Sequence, residues 1–211
     1  TQSGTTPSFT NTGAITLGAN HTMTVTGGTL TLSGGTITGP TTSKLVVSSA
    51  TLAFTPASVA VPMTLTSVNL GGTLTIASGE SVTLLNGGLS DPVTVQAGGT
   101  LWTYGTVSLG GAVSLPSTTS NLRVEGNSIG STAALTIANG FTNNGFIELN
   151  STSGHNVTLT VTTGTLINAS GATIQAVAGI GGGRTLAAEL NNQGTLDLDV
   201  ALTLSKAGAA H

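Results

Sequence analysis

The chain has 211 residues, of which 31 are Gly and 41 Thr, with no Cys, and its formal net charge of −3 comes from only 4 Lys+Arg and 7 Asp+Glu. So few cations offer no surface that could neutralise phosphates, which argues against a nucleic-acid partner. No apolar run approaches the ~20 residues a bilayer-spanning helix needs, so no membrane insertion is expected, and the lack of Cys excludes a disulfide scaffold and thiolate metal sites.

Composition is even from end to end, so a single domain over residues 1–211 is expected. The polar opening TQSGTTPS lacks a signal-peptide pattern, and the chain reads as mature or as a fragment. Short runs alternate apolar and hydroxyl residues between glycines. In chain order they are Thr22–Thr26 (TMTVT), Thr29–Leu32 (TLTL), Thr73–Ile76 (TLTI), Val93–Val95 (VTV), Asn156–Val161 (NVTLTV) and Thr195–Asp199 (TLDLD). Alternation puts Leu, Val and Ile on one face of a strand and Thr on the other. The best helical stretch, Thr185–Leu190 (TLAAEL), is too short to stand alone.

The runs also repeat. Gly28-Thr29-Leu30, Gly35-Thr36-Ile37, Gly72-Thr73-Leu74, Gly99-Thr100-Leu101, Gly164-Thr165-Leu166 and Gly194-Thr195-Leu196 share one pattern. A side of about seven residues, taken three times, gives coils of about 21 residues, and some spacings suggest longer ones, all within the range of solenoid repeats. Phe141–Leu149 (FTNNGFIEL) is similar to Leu190–Leu198 (LNNQGTLDL), at a separation that fits two coils. The reading is an all-β parallel β-helix, a β-solenoid of about 8–10 coils, with the inward aliphatics of each coil buried under the next and Asn and Gly at the corners. An antiparallel β-sandwich is the alternative, since short strands with glycine turns fit it too.

GGTLTLSGGTIT, FTNNGFIEL, GTLINASGATI and LNNQGTLDL resemble the repeats of bacterial filamentous-haemagglutinin-like adhesins and autotransporter passengers. That resemblance implies a right-handed β-helix that is secreted and displayed at the bacterial cell surface.

With so few titratable groups, candidate sites are quickly surveyed. Trp102 and Tyr104, the sole Trp and Tyr, lie two apart in a predicted strand and share a face. Such a pair can stack on sugar rings or anchor a protein contact, or it can simply cover the rod. Asp197 and Asp199 also share a face. With Glu189 they could hold a cation or act as an acid/base pair, but the reading preferred is an acidic outer face on the last coils that keeps the rod soluble or discourages wrong stacking, and no metal or other cofactor is expected. Gly126-Asn-Ser128-Ile-Gly130 matches the hydrolase elbow G-x-S-x-G, yet STAALTIANG after it reads as a strand where the elbow needs a helix. The run from Gly179 to Arg184 lacks the Lys-[Ser/Thr] of a phosphate loop and reads as a flexible corner. His21, His155 and His211 have no spaced partner. Sequons at Asn20, Asn150, Asn156 and Asn168 are what chance gives in an Asn- and Thr-rich chain.

These readings make the chain a non-catalytic extracellular structural protein, a self-assembling filament subunit or the stalk segment of an adhesin. Its expected partner is itself, stacked head to tail. Surface glycans, met through Trp102 and Tyr104, are the alternative. Thr-x-Thr runs also allow an ice-binding array, and the fold allows a polysaccharide-degrading enzyme, although the charges look scattered along the chain.

Overall fold

The computed structural model describes residues 7–54, 59–70 and 72–206. Among these there is no helix, and every pairing between strands is parallel. The single antiparallel contact is a bridge between Asn127 and Ser131 inside a loop. The sandwich alternative is therefore set aside: the chain winds as a parallel β-solenoid of about 9 turns.

Each coil has three sides. Nine strands stack along the first side, in the order Thr22–Thr26, Lys44–Ser48, Met63–Thr66, the start of Ser81–Leu89, the start of Thr100–Leu109, Asn121–Gly126, Phe146–Ser151, Thr173–Ala176 and Thr195–Leu198. We number the coils 1 to 9 by these strands. Met23, Leu45, Met63, Val82, Leu101, Leu122, Ile147, Ile174 and Leu196 occupy one inward ladder. The coil length varies along it, from 18 residues (Leu45 to Met63) to 27 (Ile147 to Ile174). The uneven spacing of the repeats thus corresponds to coils of unequal length: the corners take up the difference while the sides stay in register.

The alternating pattern explains the core. Inward Leu, Val and Ile from all three sides form one aliphatic column from Val25 to Leu190, and most are fully buried. Burial of this kind is worth roughly 1.5–3 kcal/mol per large aliphatic side chain. The outward positions are largely Thr, whose branched Cβ suits a pleated surface facing water. Thr185–Leu190, the best helical stretch, lies within the strand Arg184–Asn192, because its Leu186, Ala188 and Leu190 continue the inward column. The Asn156–Val161 run belongs to a strand extending over Val157–Asn168, carried past the corner by Gly164 at φ 73°.

An asparagine ladder, buried at Asn143 and Asn168 and exposed at Asn192, closes one corner of coils 6 to 8. Asn143 Nδ2 donates to Asn168 Oδ1 at 2.8 Å, and Asn168 Nδ2 donates to Asn192 Oδ1 at 2.7 Å. The similar segments FTNNGFIEL and LNNQGTLDL supply its first and last rungs, two coils apart. Asn143 Oδ1 also accepts from Gly145 N at 2.9 Å, which fixes the bend into the next first-side strand.

Candidate functional site

The outward row beside the inward ladder of the first side reads Thr24, Val46, Thr64, Thr83, Trp102, Arg123, Glu148, Gln175, Asp197, one residue per coil. Coils 1 to 4 present small or hydroxyl side chains there. Val46 interrupts the threonines, as Leu85 does on coil 4 of the neighbouring row, so the Thr-x-Thr runs do not stack into an unbroken array. From coil 5 onward the row turns aromatic and charged.

Trp102 and Tyr104 both face outward and are half-buried, their rings tilted at 53° with centroids 5.9 Å apart. On the next coil the Arg123 guanidinium lies 4.8 Å from the centre of the Trp102 ring, a cation–π contact. Arg123 Nη1 is also 3.4 Å from Glu148 Oε2 on coil 7. Glu148 Oε1 accepts from Asn150 Nδ2 at 3.3 Å. In the parallel row, Glu125 Oε1 accepts from Asn127 Nδ2 at 3.2 Å and from Thr152 Oγ1 at 3.3 Å. Gln175 Nε2 then bridges to Asp197 Oδ2 at 3.0 Å and Asp199 Oδ2 at 3.4 Å. Burial, reinforced by the Glu125 charge and opposed by Arg123, holds the Tyr104 phenol up at about 12.

The charges that look scattered in sequence thus meet on one strip. Arg123, Glu125, Glu148, Asp197 and Asp199 sum to −3, the whole formal charge of the chain, while Lys44, Arg184 and Lys206 offset Glu80, Asp91 and Glu189. Glu189 pairs with Thr165 away from the first side, so the structure does not bring it to Asp197 and Asp199. No group of three or more His, Asp or Glu that could hold a metal occurs among the described residues.

Loops follow the first side on coils 6 to 8, at residues 127–132, 152–156 and 177–183, and the first two supply Asn127 and Thr152 to Glu125. The first is an Asx turn: Asn127 Oδ1 accepts from Ile129 N at 2.9 Å and Gly130 N at 2.8 Å. Its Gly130 sits so close to Tyr104 and Gly105 that a Cβ would meet the Tyr104 carbonyl carbon at 2.8 Å. This is the G-x-S-x-G segment, and the strand Ala133–Asn143 follows it, not the helix an elbow needs. The 177–183 loop is pinned. Buried Arg184 donates to the carbonyls of Leu149, Val177, Ala178, Gly181 and Gly182 at 2.8–3.2 Å. That pinning replaces the flexible corner expected there. Of the sequons, Asn168 is fully buried in the ladder and closed to modification. His21 is exposed and His155 half-buried, and His211 lies outside the described residues.

Sequence reasoning found Trp102 and Tyr104 but not Arg123 and Glu125 beside them, nor Glu148 and Gln175 further along the row. Comparison with known proteins gives no match to any family model, curated protein or solved structure.

Proposed function

We propose that this chain is a non-catalytic extracellular rod that displays a lateral saccharide-binding strip, as the stalk or binding segment of an adhesin. One observation carries the reading. The sole Trp and Tyr sit side by side on the outer surface, with Arg123 against the Trp102 ring and amide and carboxylate groups continuing the row. Flat ring faces match the apolar C–H faces of sugars, and fixed polar groups around them match hydroxyls. The parallel ladders supply a rigid platform, so little ordering is needed on binding.

The test is a Trp102→Ala/Tyr104→Ala double variant on a glycan array. Both residues point away from the core, and a far-UV circular dichroism spectrum and melt matching the parent check that the variant is folded. Binding weakens by about tenfold or more if the pair is a hot spot. Array binding equal to that of the parent chain overturns the reading.

A second reading, end-to-end assembly, draws support from the ninth coil. There Leu198 and Leu204 are exposed beside an open depression of about 590 Å³ lined by Leu190, Leu196 and Leu204. A further solenoid turn, from another copy or from continuing chain, fits over such a surface.

A further inference from the structure

We infer that the strip selects an extended saccharide bearing free amines, laid along the rod axis with its sugar faces starting on Trp102 and its ammonium groups against the carboxylates beyond. The inference rests on the saccharide reading above and adds the ligand's charge and direction.

Direction follows from the register. Trp102, Arg123, Glu148, Gln175 and Asp197 are successive rungs of one row, and four steps between parallel strands span about 19 Å. A ligand following these side chains runs across the strands. That length suits a short oligosaccharide and exceeds a single ring.

Charge follows from the partners. Arg123 is paired with Glu148 and stacked on Trp102, which offsets one charge of each sign on the strip, while its buried Nε has no hydrogen-bond partner among the described residues. Glu125 is 9% exposed, and its hydrogen-bond partners, Asn127 and Thr152, are neutral and reach only Oε1. Its second oxygen has no donor among the described residues, beside the aromatic pair. A carboxylate so placed, with no cation of its own, favours an ammonium from outside. Asp197 and Asp199 share the single amide of Gln175 at the far end and are exposed. The strip's net −3 repels a uronate polymer and attracts an amino-sugar polymer.

The experiment is titration calorimetry with three oligosaccharide series of matched length: glucosamine, N-acetylglucosamine and galacturonate. The expected order is glucosamine above N-acetylglucosamine above galacturonate. The glucosamine advantage is about tenfold at low salt and shrinks as salt screens it. Affinity rises from the disaccharide and levels off once the row is filled. In Asp197→Asn/Asp199→Asn, where both changes are on the surface, the glucosamine to N-acetylglucosamine ratio falls toward one, and Glu125→Gln lowers it independently. Equal or tighter binding of the acetylated or uronate series overturns the charge selection while leaving saccharide binding in place. No binding of any series, together with a blank glycan array, overturns the saccharide reading itself. A lysine-rich peptide of equal charge that binds as tightly as the amino-sugar overturns the inference in favour of unselective cation capture.

Discussion

Tyr104 is the only tyrosine, so its ionisation can be read directly from phenolate absorbance. Folding raises its pKa from 10.0 to about 12, chiefly by burial and next by the nearby Glu125. A raised phenol favours the folded state fully below the unfolded value, and that contribution disappears as the pH climbs from 10.0 through about 12. The expected result is a stability loss over that window, absent in Tyr104→Phe and measured by denaturant melts across the pH series. Next to it, Gly105 adopts φ 70°, and any Cβ would collide with the Asn86 side chain of the coil before. Gly105→Ala should cost about 1–3 kcal/mol and loosen the aromatic pair. In the ladder, Asn168→Ala leaves the Asn143 amide and the Asn192 carbonyl without their buried partner. A loss of about 1–3 kcal/mol is expected by chemical denaturation. The Trp102–Tyr104 pair is legible in the sequence because i and i+2 of any strand share a face. Arg123 and Glu148 are not: they lie 21 and then 25 residues further on, and those spacings match no fixed repeat.

Strands were easier to read than corners. TMTVT, TLTL and VTV occur as strands with the bounds their alternation gives, because two-residue periodicity and a buried face impose the same register. The TLTI run loses only its first residue, and TLDLD its last. At corners the sequence signal is glycine, which marks a bend without saying what holds it. The 177–183 loop shows the difference. A guanidinium 1% exposed, whose charge burial disfavours, is held there by five carbonyls and, among the described residues, no carboxylate. Arg184→Lys keeps a charge but cannot reproduce the planar fork that reaches both sides of the loop. The variant should lose about 2–3 kcal/mol. Amide exchange in residues 177–183 should rise well before exchange in the flanking strands. Equal protection in variant and parent would show that the loop holds itself.

For the whole molecule, stability is a sum over neighbouring coils, each covering the aliphatic layer of the last. The ninth coil contributes Leu202, paired with Arg184 of the coil below, and leaves Leu198 and Leu204 exposed. If copies stack end to end there, Leu202→Lys places a charge at the junction and should abolish concentration-dependent growth in sedimentation. Fibres of the variant equal to those of the parent would rule out stacking at this end. The solenoid class was legible because recurring Gly-Thr-aliphatic units need identical neighbours to bury their faces, whereas the strip emerged only once coils of unequal length were superposed. That inequality has a practical consequence. Since an added half-dozen residues at one edge leaves the rungs above and below undisturbed, foreign peptides spliced into the exposed turns at Ser78–Gly79 or Ser170–Gly171 should be tolerated, which would make the rod a ready scaffold for displaying grafted epitopes at a defined vertical pitch.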